Sequence, residues 1–130
     1  MRWPVAEMAE RIADVLGSLP WLVCEADHRV LGFAYASPWK SRCAYRHSAE
    51  VTVYVEDGYG GQGLGSQLYA ALFPQLAALG CHVLIGGIAL PNAASVALHE
   101  KFGFEKVAHF KQVGWKFDRW IDVGYWELML

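Results

Sequence analysis

Apolar residues recur along this chain with two periods, and the changes between them mark out its elements. Val5, Met8, Ile12 and Leu16 stand at helical spacing with Glu7, Glu10 and Arg11 between them, which predicts an amphipathic helix over 1–16 ended by Gly17. Residues 21–26 and 30–36 are two strand-like runs joined by Asp27-His28-Arg29, the pattern of a hairpin. Pro38 and several bulky polar residues make 37–46 a loop, and 48–55 reads as a third strand. Leu64, Leu68, Leu72, Leu76 and Leu79 share one helical face that Gly80 closes, with a kink expected at Pro74. The unbroken apolar run 82–88 predicts a strand buried on both faces. Pro91-Asn92 opens a short helix that reaches Lys101 and stops at Gly103. Residues 104–111 and 121–130 are the last strands, separated by the polar and aromatic segment 114–120.

The order is helix, three antiparallel strands, helix, strand, helix, two strands. It describes a single α/β domain over 1–130, and 130 residues suffice for one core but not two. Only 18% of residues are charged and 55% are hydrophobic, which excludes a disordered chain. The net charge of −2 gives no footprint for a nucleic-acid partner. The longest apolar run, 83–91, is too short to cross a bilayer, and no basic segment precedes an apolar one as in a secretory signal. Cys24, Cys43 and Cys81 are widely spaced, so they are expected as reduced thiols of a cytoplasmic protein, two of them in strands. The five histidines show no metal-ligand spacing, and no metal is expected.

The candidate chemistry begins at 50–66, EVTVYVEDGYGGQGLGS, where a strand passes through glycines into a helix. Such a turn gathers free backbone N–H groups at the positive end of a helix and suits a phosphate. A mononucleotide P-loop is excluded, because Leu64 and Gly65 replace its Lys and Ser/Thr. Gly58, Gly60 and Gly63 satisfy G-x-G-x-x-G, but no Asp or Glu lies between Gly58 and His99 to hold a ribose, which weakens a dinucleotide. The remaining class is a coenzyme A pyrophosphate loop, [Q/R]-x-x-G-x-[G/A]. Gly60-Gly61-Gln62-Gly63-Leu64-Gly65 resembles it, with Gly60 in place of Gln/Arg and Ser66 following.

Five further segments extend the resemblance along nearly the whole chain. They are Pro20-Trp21-Leu22-Val23, the run from Pro38-Trp39-Lys40 to Arg42 and Ala44-Tyr45, the strand from Ala49-Glu50 to Val55, Leu90-Pro91-Asn92 with His99-Glu100, and Gly114 to Trp126. Together they resemble the GCN5-related N-acetyltransferase (GNAT) superfamily, in its phosphinothricin and methionine sulfoximine acetyltransferase branch. The resemblance implies the GNAT (acyl-CoA N-acyltransferase) fold, a mixed central sheet with splayed strands. That fold's usual first strand and helix have no counterpart in the predicted elements, so the expectation is either a start that is lost or misassigned or a second subunit, as in a homodimer, that covers the exposed sheet edge.

It further implies acetyl-CoA as cosubstrate and a small amino acid as acceptor, without nucleic acid or membrane. Glu50 falls at the branch's proposed base and shares a strand face with Thr52 and Tyr54. His99 falls where many members carry a tyrosine acid, so it is expected to protonate the leaving thiolate or to relay protons with Glu50. The alternatives are a structural carboxylate and a packed histidine bonded to a backbone carbonyl. Val53 would supply the oxyanion donor, Tyr54 and Val55 would pair with the pantetheine arm, and Asn92 would bond it or simply cap its helix. Gly61, Gln62, Gly63, Leu64, Gly65 and Ser66 would hold the pyrophosphate. Lys40, Arg42, Cys43 and Tyr45, in a basic aromatic loop with Arg46, would take the acceptor's carboxylate. Trp115, Lys116, Trp120 and Asp122 are candidates for the far wall of that pocket. Two other functions stay open: a non-catalytic acetyl-CoA-binding module, and an acetyltransferase for a peptide N-terminus or aminoglycoside.

Overall fold

The computed structural model describes residues 19–40, 42–59 and 63–130 in full, and 7–12 by backbone alone. Its elements are β1 (Glu7–Ile12), β2 (Pro20–Ala26), β3 (Arg29–Pro38), a 3₁₀ turn (Cys43–Tyr45), β4 (Ser48–Val55), α1 (Leu64–Ala78), β5 (Val83–Leu90), α2 (Ala93–Lys101), β6 (Glu105–Lys116) and β7 (Arg119–Met129). The strands form one sheet in the order β1-β2-β3-β4-β5-β7-β6, in which β4 and β5 are parallel and every other pair is antiparallel.

The expected first helix is corrected. Glu7–Ile12 is a strand that pairs with β2 from Glu7↔Glu25 to Ile12↔Pro20, and the flanking parts of the expected helix lie outside the described residues. The free edge of β2 offers backbone partners that outweigh a short helical stripe, and β1 covers the edge assigned to a second subunit. The last two strands are also corrected. They are longer than expected and form a hairpin, because Phe117 and Asp118 take the left-handed conformation that a two-residue turn needs.

Strand alternation divides the sheet into two faces. Leu22, Cys24, Ala34, Ala36, Ala49, Val51, Leu84 and Ile88 join the core with α1. Leu64, Leu68, Leu72 and Leu76 of the expected stripe are buried there with Tyr69 and Phe73, each burial worth about 1.5–3 kcal/mol. Leu79 departs from the stripe: it caps the helix and is exposed. Gly80 follows with φ +93, and Cys81 N–H returns to the Leu76 carbonyl while Gly80 N–H bonds Ala77. Gly103 ends α2 in the same way. Pro74 sits inside α1, which continues to Ala78.

The opposite face carries a stacked aromatic row, Trp21, Tyr35, Phe33 and Tyr54. Gly87 and Ala89 are exposed there, so β5 is not buried on both faces as expected. Only Cys24 of the three cysteines lies in a strand, against an expectation of two; Cys43 is in the 3₁₀ turn and Cys81 precedes β5.

Candidate active site

β4 and β5 hold together through only three pairs, Ser48↔Val83, Ala49↔Leu84 and Glu50↔Ile85. Beyond them β4 follows β3 as far as Val55, and β5 follows β7 as far as Leu90. The facing edges of 51–55 and 86–90 therefore diverge and leave backbone N–H and C=O groups without sheet partners. A cleft of about 540 Å³ opens on the helix side of this split. Its walls are Val53, Tyr54 and Val55 of β4, Tyr59, Gly63 with the first turn of α1, Asn92, and one face of α2.

Local chemistry makes the cleft a receptor for an anion with an apolar tail. Gly63 caps α1 with φ +80, and neither a side-chain cap nor an acidic residue occupies the first turn. The free N–H groups and the positive helix end are left for something else. Lys101 donates to Ser66 Oγ at 3.0 Å beside that turn and is the one charged residue among the described lining. Gly65 keeps the helices close, since a Cβ there would stand 3.0 Å from Leu98 Cδ2. Asn92 Oδ1 accepts from Ser95 N–H at 3.1 Å, so it is an N-cap and a cleft residue together.

Of the residues expected to hold the cofactor, Val53, Tyr54, Val55, Gly63, Leu64, Gly65, Ser66 and Asn92 all line this cleft. Gly60, Gly61 and Gln62 lie outside the described residues. Sequence reasoning missed Ala94, Ala97, Leu98 and Lys101. Their i, i+3, i+4, i+7 spacing was the available signal.

Glu50 stands at the head of the split on the other face. Its Oε2 lies 3.4 Å from where a Cβ on Gly87 would be, and its carboxylate has no hydrogen-bond or ion-pair partner among the described residues. The alternative of a carboxylate bonded to a neighbouring strand or loop finds no such bond there.

His99 lies on the other side of β5 from Glu50. It is 3% exposed, packs against Gly86 on the helix face, and is absent from the cleft wall. Its Nδ1–H donates to the Ser95 carbonyl at 2.7 Å, and Nε2 accepts from the Tyr69 hydroxyl at 3.0 Å. Burial, partly opposed by the Ser95 bond, holds its pKa below the ordinary value, so the ring is neutral with both nitrogens engaged. No direct hydrogen bond joins it to Glu50, because β5 stands between them. Replacing His99 by Phe strands the buried Tyr69 hydroxyl, and an unfolding titration should show a loss of about 1–3 kcal/mol. Wild-type stability should also decline as pH falls below about 6.5, where the unfolded imidazole takes up protons that the folded one refuses. His99→Phe should lose less on the same acidification.

The expected acceptor loop is exposed at Lys40, Arg42, Cys43 and Tyr45. Tyr45 N–H bonds the Arg42 carbonyl, Arg46 Nη1 donates to the Cys43 carbonyl at 2.8 Å, and Lys40 Nζ lies 4.9 Å above the Trp39 ring. Trp39 N–H bonds the Ser48 carbonyl, which fixes the start of the loop beside β4. The candidates for the far wall stand on the β6–β7 hairpin. Trp115 and Trp120 meet edge to face near the exposed hairpin tip, some 20 Å along β7 from Glu127 at roughly 3.3 Å per residue. Lys116 lies over the Phe117 ring, and Asp122 accepts from His109 Nε2 and Gln112 N–H on the face away from Glu50. Among the described residues, no group of three or more His, Cys, Asp or Glu side chains is placed to hold a metal.

The family described as "Acetyltransferase (GNAT) domain" matches residues 4–124. The phosphinothricin N-acetyltransferase of Streptomyces coelicolor is 50% identical over 98 residues, 75% of this chain and 57% of that protein. The L-methionine sulfoximine/L-methionine sulfone acetyltransferase of Salmonella typhimurium is 40% identical over 111 residues, 85% of this chain and 65% of that one. The chain thus spans about 57% and 65% of the length of these two curated relatives. Among solved structures, a phosphinothricin acetyltransferase from Sinorhizobium meliloti in complex with AcCoA superposes with a TM-score of 0.82 at 34% identity, covering 86% of this chain and 61% of that one. The yncA acetyltransferase of Salmonella typhimurium with acetyl-CoA also gives 0.82, at 39% identity and with 86% and 69% covered. The fold is thus shared with proteins alike in sequence, and the chain belongs to the GNAT acetyltransferase family.

Proposed function

We propose that the chain acetylates the amino group of a small amino acid of the phosphinothricin, methionine sulfoximine or methionine sulfone type, with acetyl-CoA as donor and by direct attack. The observation that carries this is the unpartnered Glu50 carboxylate at the head of the split. The acceptor arrives as an ammonium whose pKa lies roughly one or more units above neutral, so a base must take its proton. Glu50 is that base.

The cleft suits the cofactor: glycine and serine N–H groups of α1 for the pyrophosphate, strand edges 51–55 for the amides of the arm, and a partly apolar wall from α2. When bound there, acetyl-CoA supplies the activated acetyl group. Val53 N–H serves as donor to the developing oxyanion, and Asn92 holds the arm. His99 acts through Ser95 and Tyr69 as a positioning residue of the cleft wall. Direct attack accords with the cysteines: burial raises the Cys24 and Cys81 thiols, keeping them protonated, and Cys43 has no His partner among the described residues.

The three free cysteines favour a reducing compartment, the cytoplasm. The exposed Val113, Trp115, Phe117 and Trp120 of the β6–β7 hairpin form the surface on which we place the homodimer contact. Sedimentation should give a dimer for the wild type and a monomer for Phe117→Asp with Trp115→Asp.

The test is release of coenzyme A thiol from acetyl-CoA with a panel of acceptors. Methionine sulfoximine and phosphinothricin should turn over while polyamines and aminoglycosides do not. Binding of acetyl-CoA without turnover of any acceptor would make the chain a binding module.

A further inference from the structure

Opposite the cofactor cleft, β7 brings to Glu50 an aromatic residue that no pattern in the chain foretold. The β5–β7 register places Tyr125 directly across from Gly87. A Cβ on Gly87 would stand 3.0 Å from Tyr125 Cε1 and 3.4 Å from Glu50 Oε2, so ring edge and carboxylate meet over bare backbone. Trp39 and Phe110 each pack edge to face on Tyr125, with centroids 5.8 Å away, and fix its ring. Neither the Tyr125 hydroxyl nor the Glu50 carboxylate has a hydrogen-bond partner among the described residues. A floor with no side chain, an unpartnered carboxylate and an aromatic wall that excludes water make a seat for a small cation.

Charge at the rim narrows the class. Lys40 Nζ lies 4.9 Å over the ring of Trp39, the residue that packs on Tyr125. Negative charge at the floor and positive charge at the rim match a zwitterion, with its ammonium on Glu50 and its carboxylate toward Lys40. An amine without the carboxylate would leave Lys40 unanswered, and a polyamine would set a second cation beside it.

We propose that Tyr125, braced by Trp39, is the residue that determines acceptor specificity, seating the ammonium of a compact α-amino acid against Glu50 over Gly87. This rests on the acetyltransferase activity proposed above. Tyr125 touches the acceptor and not the cofactor, so its effect belongs to one substrate only. Gly87 sets the depth of the seat, since a Cβ there would press on the Tyr125 ring at 3.0 Å and touch Glu50 Oε2 at 3.4 Å.

The experiment measures steady-state kinetics of wild type, Tyr125→Ala, Gly87→Ala and Lys40→Ala. The acceptors are methionine sulfoximine, amino acids with larger side chains, and the decarboxylated amine of methionine sulfoximine. Tyr125→Ala should raise the acceptor KM about tenfold, as expected when the ring that shields the ammonium and Glu50 from water is lost, and leave the acetyl-CoA KM within about twofold. It should also shift preference toward bulkier acceptors. Gly87→Ala should raise the same KM by filling the floor with Tyr125 still present. Lys40→Ala should erase discrimination against the decarboxylated amine. Thermal unfolding of each variant separates a collapsed fold from an altered seat. An active wild type whose acceptor KM and preference survive Tyr125→Ala and Gly87→Ala unchanged would overturn the seat alone, as would equal rises in both KM values. A wild type that binds acetyl-CoA and acetylates nothing would overturn the activity and the seat with it.

Discussion

Replacing Glu50 by glutamine is expected to lower kcat/KM by about 10²–10⁴-fold, the usual contribution of a positioned general base. The amide keeps the shape of the carboxylate but cannot accept a proton. Raising the pH should restore part of the rate, because a larger share of acceptor then arrives as free amine. Acetyl-CoA affinity should be unchanged, since Glu50 sits on the face away from the cleft lining. Titration calorimetry and pH–rate profiles read both. Near-normal turnover across the pH range would remove Glu50 from the chemistry.

The second large effect is on folding. Leu68→Ala should cost about 2–5 kcal/mol, the range for truncating a buried leucine where the surroundings cannot collapse. Leu68 is fully buried in the middle of α1, and its Cδ1 lies 3.4 Å from where a Cβ on Gly32 would be. Gly32 cannot grow to fill the space, because that Cβ would also stand 2.7 Å from the Tyr54 carbonyl oxygen. Against a typical domain stability of about 5–15 kcal/mol the loss is severe. In urea the midpoint should fall with an unchanged slope. Saturating acetyl-CoA should recover part of it, since the first turn of α1 is a cleft wall and a ligand of the folded state alone stabilises that state. A midpoint within experimental error of wild type would contradict the packing described for α1.

What the sequence disclosed follows from how local each signal is. Four leucines of the α1 stripe, its glycine stop and the Asn92 cap rest on contacts within a few residues, and they stand in the structure where the pattern put them. The glycine turn and the apolar run after it located the cleft, because a strand-to-helix crossover carries its ligand site at that junction. Three features depend on pairing between distant strands and were hidden. The strand at Glu7–Ile12 takes its structure from the free edge of β2, so its own helical spacing misled. The hairpin of β6 and β7 turns on positive φ at Phe117 and Asp118, residues that do not announce such a turn. The places of His99 and Tyr125 depend on which face of β5 each meets: Gly86 faces the helices and Gly87 faces Glu50. A one-residue shift in register would exchange them.

The most direct test is a crystal structure of the chain with coenzyme A and a bound amino-acid acceptor. The account predicts the pantetheine arm along the free edge of β4, the pyrophosphate at the first turn of α1 beside Lys101, and the acceptor nitrogen within hydrogen-bond distance of Glu50 over Gly87. A cofactor seated elsewhere, or an acceptor nitrogen out of reach of Glu50, would contradict it.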